Sequence, residues 1–403
     1  MSADRNQARI TATGVAAWQT PALILGILGI IASGIGWFLD APQFYRAYLP
    51  AYVFWFSIVA GALGVLMLQY TTGGEWGILL RRPLGAAART VIWMALFFVP
   101  IAIGVPYIYP WADPKYVAHE PTVQLKLGYL NWEWFVIRAA IYFALWALWA
   151  WRIRFLSLRF YEDRSPYTEL SRRRWAGSGL PMIVLSLTFT GIDWMMSTEP
   201  KWTSSMYGIT FLVGAGLSAY AFVTFFLTRL ADTPAMTDII KPSHFRDLGN
   251  LMLAFVMLYA YTAFSEYLLS WYANLHEEIP HFIVRQSGAW GFVAMFVVVF
   301  HFFLPFFMLL MRAIKDRPAT IGIVAIIILV VRFFAIYWLT QPSFSGVHFY
   351  FSWMTLAALA GIGGIWLFLF IGQLKGQTII PIHETWVEEA VREGALKGSS
   401  VNA

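Results

Sequence analysis

Six ionisable side chains stand in stretches of this 403-residue chain that are otherwise apolar. Asp193 lies within TFTGIDWMMSTEPKW, and Glu266 lies within YTAFSEYLLSWY. Glu133 and Arg138 share NWEWFVIRAA, Arg332 sits in LVVRFFAIYW, and His301 in VVVFHFFLPF. A charge surrounded by hydrocarbon is costly, so such residues usually face a bundle interior and mark ion, proton or substrate paths. A carboxyl pulled toward neutrality by desolvation and toward ionisation by an arginine can exchange protons near neutral pH. An imidazole titrates closest to that range. Asp193, Glu266, His301 and Glu133 are thus candidates for a proton path, with Arg138 and Arg332 as charge partners. Plainer roles stand beside these. The arginines can be structural counter-ions, Glu133 can be solvated at a membrane surface, Asp193 can cap the following turn, and His301 can be a neutral core residue.

The elements that must position these groups are apolar runs of about twenty residues. Hydrophobic residues make up 59% of the chain and charged residues 12%, with a mean hydropathy of +0.62. A soluble domain is about 25% charged. Continuous apolar blocks predict membrane-spanning helices; barrel strands would alternate over about ten residues. The reading is an all-α membrane protein with ten spans. They run from about Pro21 to Leu39, Pro50 to Tyr70, Ala88 to Tyr109, Asn131 to Trp151 and Ala176 to Met196. The others are Tyr207 to Thr228, Leu248 to Tyr272, Gly288 to Met311, Ala319 to Thr340 and His348 to Gly372. Residues 1–20 form an N-terminal segment, 21–372 the ten-helix domain and 373–403 a tail whose HETWVEEAVREGALK reads as a short helix.

Basic residues set the direction. Of the 28 Lys and Arg, only Arg46, Lys115, Lys126, Lys201 and Arg285 fall in the loops of one side, and Arg138 and Arg332 fall inside helices. The rest lie on the side that carries both termini, which the positive-inside rule assigns to the cytoplasm. The N-terminus has no signal-peptide pattern, so the first span is expected to be retained. Counting 1.5 Å per residue, Glu266 and Arg138 lie roughly 10 Å below the outer surface, Arg332 about 12 Å and His301 about 20 Å. Asp193 lies near the outer end of its span and Glu133 at the lip. Pro305, four residues after His301, has no N–H, so the His301 carbonyl loses its helical partner and a water can lodge in the kink. On the inner leg only hydroxyls such as Ser186, Thr188, Thr224, Tyr259 and Tyr261 offer help. The outer loops are rich in Trp, Tyr and Pro, as in YIYPWADPKY, which suits an interfacial belt or a docking surface for a peripheral partner.

Several chemistries are excluded or unsupported. There is no cysteine, so no Cys-ligated iron–sulfur cluster, CxxCH haem attachment or thiolate zinc site is possible. No Walker loop, HExxH or GxSxG motif occurs, and no catalytic or metal-binding residue is assigned. Gly361 to Gly364 reads as helix packing.

Three segments, GIDWMMSTEPKWTSSMYG, YLLSWYANLHEEIPHFIVR and GYLNWEWFVIR, carry a resemblance that extends over nearly the whole chain. The chain resembles the ActF-like membrane subunits of bacterial alternative complex III, a quinol:cytochrome c or quinol:electron-carrier oxidoreductase, within the NrfD/polysulfide-reductase membrane-anchor superfamily. Ile192 replaces the family's usual aromatic, and Glu266 stands where Gln is expected. The resemblance implies two four-helix bundles, spans 2–5 and 6–9, flanked by spans 1 and 10. It implies partners in the bacterial cytoplasmic membrane: a homologous quinol-binding subunit, peripheral haem-c and iron–sulfur subunits, and lipid, with no nucleic acid. It implies a subunit without a redox centre or covalent cofactor that offers a proton route, with contact to menaquinone or another quinol as a possibility. The alternatives are a quinol-binding subunit of the same complex, a secondary transporter and a purely structural anchor.

Overall fold

The computed structural model describes residues 15–231, 240–276 and 278–375; the helix expected in the C-terminal tail lies outside them. Every regular element among the described residues is helical. Ten helices are long and apolar enough to cross a membrane: α1 Gln19–Leu39, α2 Ala41–Thr72, α3 Arg81–Ile103, α4 Trp132–Asp163 and α5 Pro166–Thr198. They continue with α6 Ser205–Ala231, α7 Pro242–Ala273, α8 Ala289–Leu310, α9 Pro318–Ser345 and α10 Trp353–Leu374. Leu, Ile, Phe and Trp side chains stand exposed along α1, α4, α7 and α8. Such apolar surface is tolerable only in lipid, and the chain is a multi-pass membrane protein.

Local chemistry sets the helix ends. Asp40 accepts the Gln43 amide at 3.0 Å, Asn131 accepts the Trp134 amide at 2.9 Å, and Ser352 accepts the Met354 amide at 3.2 Å. Each satisfies an orphan donor of a first turn. The helices α4 and α7 end on Arg164 and Asn274 in the left-handed region, at φ of 47° and 50°. The expectation that α2 begins at Pro50 is corrected: capping at Asp40 starts it nine residues earlier, and Pro50 lies inside the helix. Its missing N–H leaves the Arg46 carbonyl without a helical donor. The Gln341 side chain supplies one, with its Nε2 donating to Arg46 O at 2.8 Å. Residues of α4, α5 and α7 continue helically beyond the apolar runs, which is why the sequence boundaries fall short.

Helices α2–α5 and α6–α9 form two four-helix bundles, and the most buried helices, α2 and α6, pack against each other where the bundles meet. A Cβ on Gly61 of α2 would fall 1.9 Å from the Ala215 carbonyl of α6, so the bundles touch backbone to backbone there. The pair α1 and α10 lies against α2. Gly29 and Gly361 face each other across α1 and α10, and a Cβ on Gly29 would meet Gly361 N at 2.3 Å. The Gly361 to Gly364 run therefore is a packing seam, built with Gly26 and Gly29. Small residues let membrane helices approach closely enough for dispersion to hold them. Gly361→Leu should lower the thermal unfolding midpoint of the purified chain, whereas Gly34→Leu, which meets nothing within 4 Å, should leave it unchanged. Equal midpoints for the two variants would contradict this seam.

Candidate functional site

The buried carboxyl groups divide into two kinds: those whose hydrogen bonds are complete and those whose hydrogen bonds are not. Asp193 belongs to the first. Its carboxylate accepts the Arg138 Nε–H at 2.9 Å, the Tyr129 hydroxyl at 2.8 Å and the Tyr142 hydroxyl at 2.9 Å. Arg138 and Tyr142 stand four residues apart on one face of α4, so a single helix face presents both donors. The Arg138 guanidinium also lies over the Tyr129 ring, 3.8 Å from its centroid, and donates to the Tyr129 carbonyl at 2.9 Å. The next residue, Trp194, is packed among Tyr52, Phe56, Phe98 and Phe143. The expected pairing of Asp193 with Arg138 is therefore present. Glu133 is not part of it. It is exposed in the first turn of α4, where a carboxylate suits the helix dipole, and no hydrogen bond joins it to Asp193 among the described residues.

A second fully bonded carboxylate, not anticipated from the sequence, is Glu199 just after α5. Its Oε1 takes Arg285 Nη2 at 2.8 Å and the Ser343 hydroxyl at 2.6 Å, and its Oε2 takes His281 Nδ1 at 2.6 Å. Arg285 also donates to the His281 and Leu339 carbonyls at 3.0 and 2.7 Å. His281 stacks flat on Trp202, centroids 3.7 Å apart and planes within 4°. Residues Ile279–Gln286 form a short helix that carries both His281 and Arg285 inward. Burial opposes ionisation of Glu199, but Arg285 and the His281 hydrogen bond outweigh it and hold the carboxyl well below its ordinary range. Burial, then Arg285, push His281 down to about 4 against the pull of Glu199. The imidazole is thus neutral at pH 7, and Nδ1 carries the proton it donates to the carboxylate.

The second kind of site lies inside the α6–α9 bundle. Buried α7 residues Tyr259, Thr262, Glu266 and Ser270 form one stripe, while Phe264 and Leu268 face outward. Glu266 has Ser204 and Arg285 as polar neighbours, yet its buried Oε1 has no hydrogen-bond partner. Tyr207 sits between the two levels, close enough to interact with Arg285, Glu266, Glu199 and Tyr259. Below, the Tyr259 ring lies 4.5 Å from the His301 ring and 4.7 Å from the Arg332 guanidinium. His301 Nε2 and Arg332 Nε and Nη1 have no partner. The expectation that Arg332 pairs with a carboxylate is corrected: no ion pair to it exists among the described residues. Gly214 of α6 makes the room for Arg332, since a Cβ there would fall 2.0 Å from Nη2. The turn that bears His301, Val298–Phe303, is a π-helix in which the Leu304 amide reaches back to the Val299 carbonyl. It ends just before Pro305, and π turns of this kind concentrate at functional sites.

Toward the basic end the unpartnered groups continue along α6. Gly214 faces Arg332 of α9 and Gly216 faces Phe255 of α7. At 100° per residue, Thr210, Tyr220 and Thr224 fall on the arc between those directions, which is the bundle interior. Their hydroxyls are buried and unpartnered. Tyr220 and Thr224 lie roughly 9 and 15 Å beyond Gly214 by helical rise, and Tyr220 packs near Trp76 at the basic end. Of the hydroxyls expected to help there, Thr224 and Tyr259 belong to buried residues of α6 and α7. Ser186 instead accepts the Trp146 indole at 2.8 Å, Thr188 bonds the Val184 carbonyl at 2.7 Å, and Tyr261 is 66% exposed. Tyr220 was legible only from its helical phase, and Arg285 had the appearance of an ordinary loop cation.

The fold and site thus define a ten-span helical membrane protein in which the Asp193 carboxylate of the first bundle is fully bonded while Glu266, His301 and Arg332 of the second keep unpartnered buried atoms. The chain matches no protein-family model and no curated protein.

Two measurements test the saturated networks. Replacing Asp193 with Ala leaves the partly buried Arg138 unpaired and should cost about 3 kcal/mol of stability, while Glu133→Gln should change it by less than about 0.5 kcal/mol. The pH dependence has a definite sign. His281 has a folded value of about 4 against 6.5 when unfolded, so its contribution is full above 6.5 and is lost as pH falls toward 4, to at most about 3 kcal/mol. Glu199, held low, loses its contribution at still lower pH. Unfolding midpoints should therefore drop between pH 6.5 and 4, and His281→Gln should flatten that drop.

Proposed function

We propose that this chain is a cofactor-free membrane subunit of a quinol:electron-acceptor oxidoreductase complex, akin to the ActF-like subunits of alternative complex III. In this reading both termini face the cytoplasm of a bacterium, and the chain provides a proton path coupled to quinol oxidation in partner subunits. Those partners are a homologous quinol-binding membrane subunit and peripheral haem-c and iron–sulfur subunits. One observation carries the reading. Glu266, His301, Arg332, Thr210, Thr224 and Tyr220 all place unpartnered polar atoms inside a single bundle.

Each unpaired buried polar atom costs about 1–3 kcal/mol, and ordered water is what normally meets such atoms inside proteins. A hydrated file linked by Glu266, Tyr259 and His301 can pass protons by hydrogen-bond exchange. Glu266 supplies the carboxyl at the outer end, beneath the Glu199 network. Arg332, uncompensated by a carboxylate, repels a free hydrated cation and so favours proton hopping over bulk ion flow. Asp193, saturated by three donors, serves in this reading as an anchor at the mouth of the first bundle, and Glu133 lies outside the route.

The test uses the complete complex reconstituted in sealed vesicles. Glu266→Gln and His301→Ala should slow proton movement by roughly 10²-fold while electron transfer from quinol continues. Loss of electron transfer with weakened quinol binding in the same variants would favour a quinol-binding subunit. Unchanged proton movement and electron transfer would reduce the chain to a structural anchor.

A further inference from the structure

The buried stripe of α7 continues one turn past Glu266, to Ser270. Beyond it, on the face opposite the basic loops, lies a recess of about 300 Å³ lined by Lys201, Thr203, Leu275, His276 and Glu278. Two hydroxyls stand between Glu266 and this recess. Ser204, next to Thr203, is close enough to interact with Glu266. Its oxygen accepts the Met206 amide at 3.2 Å, which leaves its O–H to face the carboxyl.

Ser270 is the other. It is buried, yet it makes no bond to its own helix. Thr190, Ser218 and Thr340 each donate to the carbonyl four residues back, at 2.7, 2.8 and 2.9 Å. That local bond is the common resort of a hydroxyl inside a helix. Ser270 instead donates to Glu278 Oε2 at 3.3 Å. Its proton is thus directed out of the bundle, toward the recess.

Glu278 differs from the fully bonded acids. Among the described residues, Ser270 is the one hydrogen-bond donor to its side chain, and no cation pairs with it. Lys201, the cation of the recess, is paired with Glu120 and faces the Tyr116 ring. Glu278 can therefore take up a proton without breaking an ion pair, which Asp193 and Glu199 cannot.

We propose that Glu278 is the outer terminus of the proton path, joined to Glu266 through the Ser270 hydroxyl and open to water in the recess. This rests on the proton-path reading above. Ser270 passes its proton to the Glu278 carboxylate and accepts one from the Glu266 carboxyl. The hydroxyl is restored, Glu266 is left as the carboxylate, and Glu278, now the acid, gives its proton to water. The reverse sequence carries a proton inward. Residues four apart on a helix are neighbours, so a turn of the long Glu266 side chain spans the step to Ser270.

The complete complex in sealed vesicles tests this, with quinol oxidation and proton movement followed together. Ser270→Ala and Glu278→Gln should each slow proton movement roughly 10-fold, less than loss of a buried carrier because water in the recess substitutes in part, while quinol oxidation continues. Ser270→Thr and Glu278→Asp, which keep the hydroxyl and the carboxylate, should restore most of the rate. His276→Gln, in the same recess but off this chain of bonds, should change nothing. Undiminished proton movement in both Ser270→Ala and Glu278→Gln, with Glu266→Gln still slow, would overturn this exit and leave the path standing. A normal rate in Glu266→Gln would remove path and exit together. Equal slowing in Glu278→Gln and Glu278→Asp, or in His276→Gln, would reduce the recess to packing and overturn the proposal.

Discussion

Hydrocarbon offers no hydrogen bonds, so every polar group inside this protein must be met by the protein or by water that it admits. The Glu199 carboxylate shows the first solution. Arg285 and His281 reach it from the short helix between α7 and α8, and Ser343 reaches it from the end of α9. The carboxylate itself comes from the end of the first bundle. One anion therefore fixes three separate stretches of chain, and it joins the bundles at the face where Gln341 also meets the carbonyl released by Pro50. Below that level, close backbone packing at Gly61 takes over. Polar bonds at the surface and small-residue contacts in the interior divide the work of holding the bundles together.

The buried carboxyl of the second bundle, Glu266, contrasts with Asp193 of the first. Asp193 is fully bonded by Arg138, Tyr129 and Tyr142. Glu266, His301 and Arg332 occupy comparable interior positions yet retain unpartnered atoms. A saturated carboxylate is a poor proton carrier, because protonating it breaks an ion pair and leaves the partly buried Arg138 without its counter-ion. An unsaturated one can change state with less rearrangement of its neighbours.

Much of this was legible in the sequence, for physical reasons that also set its limits. Twenty-residue apolar runs identify spans without any knowledge of partners, and lone charges inside them identify inward-facing sites, as Asp193, Glu266, His301 and Arg332 show. Helical phase carries further: Arg138 and Tyr142 share a face, as do Tyr259 and Glu266. What phase cannot supply is which helix lies opposite. Arg332 was paired with a carboxylate on general grounds, but its neighbour is the ring of Tyr259. Glu199, His281 and Arg285 looked like loop residues because loops are normally wet. Their burial depends on a short helix folding back over the bundle, which no local pattern announces. Pro50 misled for the opposite reason. A proline usually starts a helix, and only a distant glutamine explains why this one does not.

The position of Arg332 is set by α6 as much as by its own helix. The space its guanidinium fills exists because residue 214 has no side chain. A buried cation of that size, without a carboxylate, would ordinarily be expelled or neutralised. Here the faces of its neighbours soften the cost: the Tyr259 ring presents its π face to the charge, an interaction worth about 2 kcal/mol or more when desolvated. That is too little to repay the removal of a guanidinium from water, which is several kcal/mol even after relaxation. The free Nε and Nη1 donors, like the His301 Nε2 and the Glu266 Oε1, are the buried atoms whose hydrogen bonds the protein itself leaves unmade.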